Sequence, residues 1–362
     1  MSVRHVPRKS NVLSRSQIDE FLLNAPDDVF LLIKVVIAFG VFGAYRRQEL
    51  HDLCFNDVKV EGSVLVPQLI TKYGYPVETH TILTEDGYFL TLHRIPYGQQ
   101  NTSKPRHPVM LQHGILCSSA DWIILGPGKS LAYVLADEGY DVWMGNARGN
   151  TYSRKHLNYT TANSKFWDYS FHEMGVFDLP VVTDYILKTT DHKCLKYIGH
   201  SMGITMFLIF LSEHPEYNDK FCIMIGLAPV AYISHAPTPI RDFSVSNGME
   251  GVMKTLELFG IHDILRNSDF TVEIAKNLCK EIVLAKLLCE NILQFAGGFG
   301  TNQLNTDVTA LYKALPNVIG NFRVPLTQFN HLDFLWGTDA KILVYDKVVE
   351  IFKQMLTKIN EV

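Results

Sequence analysis

Residues 194–216 read CLKYIGHSMGITMFLIFLSEHPE and constrain the fold more than any other stretch. A short apolar run reaches Gly199-His200-Ser201-Met202-Gly203, and a longer apolar run comes next, stopping at Pro215. This pattern predicts a buried strand, a sharp turn with Ser201 at its apex, and then a helix. Glycines two residues either side of the serine permit a strained turn backbone and leave room around Oγ.

The surrounding chain has the rhythm such a turn needs. HPVMLQHG (107–114) reads as a buried strand running into a loop, and KSLAYVLADEGY (129–140) as a helix closed by Gly139. DVWMGNARG (141–149) reads as strand and loop, DLPVVTDYILKTT (178–190) as a helix, and DKFCIMIGLAPV (219–230) as a strand. Strands alternating with helices imply an α/β fold with a mostly parallel, doubly covered sheet. Ligands of such sheets bind at the carboxyl ends of the strands, where these loops fall. Residues 232–306 break the rhythm. They are amphipathic and helical, with no clear strand before NILQFAGGFG (291–300), and read as a cap inserted over the sheet. The sheet pattern resumes with a helix at 307–315, a strand in NFRVPL (321–326) and a last helix near 340–358. The chain therefore divides into a leader (1–50), a first core part (51–231), a partial cap (232–306) and a C-terminal core part (307–362).

Composition narrows the function classes. Hydrophobic residues make up 47 % and charged residues 19 %, and the net charge is −4 with Lys and Arg scattered, so no nucleic-acid footprint is expected. No His/Cys cluster has metal-ligand spacing, and no cofactor is expected. Behind a polar, basic start lies VFLLIKVVIAFGVFGA (29–44), apolar apart from Lys34. It is shorter than the ~20 residues of a membrane span. It suits a signal-peptide core, with Gly43 and Ala44 allowing cleavage. Secretion is the expectation, and an uncleaved segment would instead anchor the chain to a membrane. Cys54, Cys117, Cys194 and Cys222 stand apart and read as buried thiols. Cys279 and Cys289, ten residues apart, could close a small loop in an oxidising compartment. The triplets at Asn101 and Asn158 are glycosylation acceptors compatible with secretion.

A serine hydroxyl needs a base to become a nucleophile. Among fourteen histidines, His331 lies well downstream, in the loop after NFRVPL, on the same rim as Ser201. His200 reads as packing under the turn, and His113 as propping the loop it opens. Attack on a carbonyl also needs backbone N–H donors aimed at the developing oxyanion. Met202, directly after the serine, and Leu116, in the loop after VMLQHG, are the candidates.

These pieces resemble the acid lipase family, the gastric and lysosomal lipases and their insect relatives. The matching stretches are YGYPVETHTILTEDGYFLTLHRIPYG (73–98), LQHGILCSSADWI (111–123), GYDVWMGNARGNTYSRKH (139–156), GHSMG, LAPVA (227–231) and FNHLDFLW (329–336), in family order. The resemblance implies an α/β-hydrolase fold with a helical cap, secretion or lysosomal targeting, and hydrolysis of acylglycerols or sterol esters at a lipid–water interface. It implies Ser201 as nucleophile, His331 as general base, and Leu116 with Met202 as oxyanion donors. Cys279 and Cys289 fall where the family has a cap disulfide.

The family's acid has no counterpart. GGFGTNQLNT resembles the middle of the cap, yet the next residues, DVTALYKALPNV, resemble a helix beyond the acid. Between Thr306 and Asp307 the second part of the cap, one core strand and the acid loop are missing, leaving a truncated cap. Asp307 is the nearest replacement acid, though with Thr306 as N-cap its ordinary role is the first turn of a helix. Asp333 lies on another part of the His331 loop. The expectation is a serine ester hydrolase with impaired turnover. The alternatives are a lipid-binding homologue without catalysis, or a splice or gene-model variant without function.

Overall fold

The computed structural model describes residues 65–100, 106–232, 301–326 and 329–360. Within them one mixed sheet holds β1 (Glu78–Leu83), β2 (Tyr88–Ile95), β3 (Pro108–Gln112), β4 (Asp141–Met144), β5 (Lys155–His156), β6 (Leu195–His200) and β7 (Phe221–Leu227). The strand order is β1-β2-β4-β3-β6-β7, with β5 paired to β2. β4, β3, β6 and β7 are mutually parallel. β1 and β2 form an antiparallel hairpin, and β2 joins β4 antiparallel.

The helices that frame the sheet and the site are α1 (Leu65–Lys72), α2 (Leu131–Asp137), α3 (Leu179–Thr190), α4 (Met202–Glu213), α5 (Thr301–Ala314), the single turn α6 (Asp333–Trp336) and α7 (Asp346–Asn360). The central strands PVMLQ, DVWM and LKYIGH are buried along their whole length because helices cover both faces. Side chains alternate between two cores, as a pleated strand requires. Val109, Leu111, Val142 and Ile198 pack on one face with α1, α2 and, from α7, Val348, Val349 and Phe352. Met110, Trp143 and Tyr197 pack on the other with Leu179, Val182 and Ile186 of α3 and Met206, Phe207 and Phe210 of α4. The sheet therefore sits rigidly between helices, and the loops at its carboxyl end hang from a fixed frame.

Three sequence expectations need correction. NFRVPL forms no strand, and residues 321–323 are exposed. Asn321 and Arg323 interrupt the apolar pattern, Pro325 has no N–H to give a ladder, and no sheet edge among the described residues pairs with the segment. β7 is thus the last strand of the described sheet, and most of its apolar sequence stays half-exposed. Next, α5 begins at Thr301 rather than 307, since nothing in TNQLNT breaks a helix, so Asp307 lies in its second turn and Thr306 caps nothing. Third, Cys194 and Cys222 are not separate thiols. They are joined by a disulfide with Cα atoms 5.4 Å apart. The pairing of β6 with β7 brings them together, with Leu195 opposite Phe221. Cys117 remains free. Residues 78–95 add an antiparallel hairpin that the sequence pattern does not indicate, closed by a turn in which Gly87 takes φ 99° and donates to the Thr84 carbonyl at 3.1 Å. The leader, most of the cap, Asn101 and the Cys279/Cys289 pair lie outside the described residues.

Candidate active site

Ser201 stands between β6 and α4 with φ 53° and ψ −118°. A non-glycine residue held there costs about 1–3 kcal/mol, and the surroundings must enforce it. Two hydrogen bonds do so. The Ser201 N–H donates to the Leu227 carbonyl of β7 at 3.1 Å, and the Ser201 carbonyl accepts from the Ile204 N–H at 3.0 Å. The glycines matter sterically. A Cβ on Gly203 would strike the Gln112 carbonyl of β3, and one on Gly199 would come within 3.0 Å of the Gly203 backbone. Leu116 (φ 61°) and Ala228 (φ 49°) share this strained region. Strain therefore gathers just beyond the carboxyl ends of three adjacent parallel strands, β3, β6 and β7. Ser201 is 2 % exposed, and its Oγ has no hydrogen-bond partner.

His331 enters from the C-terminal part. Phe329 is buried in the first core, and the short helix α6 anchors the other end of the segment. The Asn330 side chain accepts from the Leu332 N–H at 2.9 Å and the Asp333 N–H at 3.2 Å, while the Asp333 carboxylate accepts from the Asn330 N–H at 2.7 Å. Asp333 is thus engaged with the Asn330 main chain in the turn that leads into α6. The His331 carbonyl accepts a hydrogen bond from Nε2 of His200 at 2.9 Å, and the two rings lie 4.8 Å apart. His331 therefore reaches the immediate neighbour of Ser201. Burial holds its imidazole down at about 4 and that of His200 at about 3, so both are neutral near pH 7.

The loop after β3 forms the third side. Gly114 abuts the elbow: a Cβ there would lie 3.0 Å from both the Ser201 Cβ and the His200 Nδ1. His113 donates through Nδ1 to the Gly114 carbonyl at 2.7 Å, and its Nε2 accepts from the Ala147 N–H at 3.1 Å. It is the loop prop read from sequence. Leu116 comes two residues later, 59 % exposed. Beyond it a short turn, Ser119–Trp122, is capped by Ser118, and Asp121 reaches back to the Ser118 N–H at 2.7 Å. Buried Ser119 is tied to His93 at 2.8 Å and through its N–H to Asn146 at 3.0 Å. Met202 occupies the first position of α4, where helical N–H groups have no intrahelical acceptor.

Besides the His200–His331 bond, sequence reading missed a second connection. The Trp336 indole donates to the Asp121 carboxylate at 3.1 Å, tying the His331 segment to the loop after β3. Both residues lie in stretches singled out by their sequence, but nothing local pairs residues so far apart. Burial raises Asp121 to about 6. Asp307 is buried on α5, 4 % exposed. Among the described residues no group of three or more His, Cys, Asp or Glu could hold a metal ion.

A strained serine elbow at the carboxyl end of a parallel, helix-covered sheet defines a hydrolase of the α/β-hydrolase fold. The family described as alpha/beta hydrolase fold matches residues 107–244, and that described as a partial alpha/beta-hydrolase lipase region matches residues 66–126. The chain is 33 % identical to Lipase 3 of Drosophila melanogaster, covering 78 % of this chain and 90 % of the fly protein. It is 32 % identical to human gastric triacylglycerol lipase, covering 81 % of this chain and 92 % of that one. With the lysosomal acid lipase/cholesteryl ester hydrolase of Macaca fascicularis it shares 35 % identity over 78 % of this chain and 72 % of the relative. The chain belongs to the acid lipase family. The Lipase 3 alignment runs over 360 positions yet draws on 78 % of 362 residues, so about 80 of its positions have no counterpart here. The human gastric alignment, 375 positions using 81 % of this chain, leaves about 80 as well.

Proposed function

We propose that this chain is a lipase acting on acylglycerols or sterol esters by acyl transfer to Ser201, with slow turnover because the triad acid is missing. In this reading His331 takes the Ser201 proton as Oγ attacks the ester carbonyl, and the N–H groups of Leu116 and Met202 receive the oxyanion. His331 then protonates the leaving alcohol, and water releases the acid in a second cycle. The names of the gastric and lysosomal relatives support the substrate class. The observation that carries the reading is the His200 bond to the His331 carbonyl, which sets His331 against the residue that precedes Ser201.

That the acid is missing is inferred from the break in resemblance read in the sequence at 306/307, and the roughly 80 alignment positions without counterpart are consistent with it. Disabling the orienting carboxylate of a serine protease lowers turnover by about 10⁴. A similar deficit is expected here. Asp307 remains the candidate substitute.

Secretion, or delivery to a lysosomal lumen, is inferred from the relatives' names and from residues 29–44. Asn158 is exposed and available for glycosylation. Among the described residues no helix is long and apolar enough to cross a membrane. A second reading, a lipid-binding homologue without turnover, is favoured by one observation: the buried Ser201 Oγ has no hydrogen-bond partner. Hydrolysis of a short-chain chromogenic ester separates the two. Slow turnover lost in both Ser201→Ala and His331→Ala supports the lipase reading. Fatty-acid binding by a folded wild type that turns nothing over supports the second.

A further inference from the structure

The elbow contains a buried imidazole that the proposed chemistry does not use. His200 is 1 % exposed and leads from β6 directly into Ser201. Its Nε2 faces a carbonyl, which can only accept, so Nε2 carries the proton and the ring is fixed in one neutral tautomer. That carbonyl belongs to His331, 131 residues away. The other nitrogen, Nδ1, is buried against Gly114 with no hydrogen-bond partner. An aliphatic side chain would fill this space without burying an orphan nitrogen, so the imidazole costs stability that its one hydrogen bond must offset.

We propose that His200 is a positioning residue: its Nε2–H, bonded to the main-chain carbonyl of His331, sets where the base stands relative to Ser201. This rests on the reading of Ser201 and His331 as nucleophile and base. The bond grips the backbone of His331 rather than its ring, leaving the imidazole nitrogens to their own partners. It works together with the Trp336–Asp121 bond five residues on, so the segment is held just before α6 and at its last residue. The desolvation that keeps His200 neutral, pushing it down to about 3, also keeps the donor in the same tautomer across the pH range in which the enzyme could work. The bond fixes the main chain of His331 and is separate from any carboxylate that would orient its ring.

The test compares His200→Gln, His200→Asn and His200→Leu by the rate of fluorophosphonate labelling at Ser201 from pH 5 to 8, alongside thermal melting. A glutamine amide reaches the place of Nε2, whereas an asparagine amide reaches only that of Nδ1. Misplacing a reacting group by about 1 Å costs on the order of 100-fold. Folded His200→Leu and His200→Asn are therefore expected to label at least about 10-fold more slowly, with His200→Gln restoring most of the rate. Equal labelling by wild type and all folded variants would overturn the inference, as would equal rates for the Asn and Gln variants. If the leucine variant does not fold, the Asn/Gln pair still decides. Histidine ¹⁵N NMR of the wild type reads the bond separately. An Nε2-protonated His200 signal is expected throughout, and its absence would overturn the inference even where labelling proceeds. A wild type that shows this signal but never labels would instead sink the nucleophile reading.

Discussion

The indole of Trp336 and the buried carboxylate of Asp121, 215 residues apart, are joined by a hydrogen bond of 3.1 Å. Asp121 also caps the Ser119–Trp122 turn next to the candidate oxyanion loop, so this bond couples the histidine segment to the far side of the elbow. Trp336→Phe keeps the ring and removes the donor. The buried carboxylate then loses one of its partners, and a loss of about 1–3 kcal/mol is expected in denaturant unfolding. Asp121→Asn, which keeps an acceptor and removes the charge, should cost less. Equal stability of Trp336→Phe and wild type would contradict this.

The Cys194–Cys222 disulfide clamps the last described strand to the strand that carries the elbow, and β7 in turn supplies the Leu227 carbonyl to Ser201. Breaking it frees a loop with a sequence separation of 28 residues. Losses of about 2–4 kcal/mol are typical for such bridges. Cys194→Ser/Cys222→Ser, or mild reduction of the wild type, should lower the melting temperature together with the rate of Ser201 labelling. A melting temperature that ignores reductant would remove the clamp from the account.

Gly203→Ala tests the close approach of α4 to β3. The added Cβ meets the Gln112 carbonyl, which is backbone and cannot swing away. An overpacked site of this kind costs about 1–3 kcal/mol. A melting curve identical to wild type would mean that the elbow is looser than described.

Acidification should destabilise the fold on balance. Burial lowers His93, His113 and His331 from 6.5 to about 4 and His200 to about 3. As pH falls through 6.5 the unfolded chain takes up protons that these folded imidazoles refuse, so stability present above pH 6.5 is lost toward pH 4. Asp121 and Asp178, raised from 3.8 to about 6 by burial, act oppositely. Each gains its proton first in the folded state, adding stability between about pH 6 and 4. Four histidines outweigh two carboxyls. The expected result is a lower melting temperature at pH 4.5 than at pH 7, and a higher one at pH 4.5 would contradict it.

The parallel core was legible because its strands are continuous apolar runs punctuated by glycine, and Ser201, His113 and His200 lie where those runs end. The hairpin of β1 and β2 was not read as such, because ETHTIL is polar and half-exposed at the sheet's rim. NFRVPL misled because strand propensity is realised only where an edge offers a ladder. The disulfide was hidden for a related reason: strand register brings Cys194 and Cys222 together, and sequence spacing alone does not give register. Asp307 looked like a helix start because aspartate favours first turns, but the polar residues before it extend the helix. Long-range bonds such as His200 to His331 and Trp336 to Asp121 have no local signature at all.

The measurement that most directly tests the central claim is the rate and site of fluorophosphonate labelling of folded wild type, compared with Ser201→Ala and His331→Ala. The account predicts slow, stoichiometric labelling mapped to Ser201, abolished in Ser201→Ala and reduced at least about 10-fold in His331→Ala, as expected for loss of a general base. Labelling of His331→Ala at the wild-type rate, or a folded wild type that never labels, would contradict it.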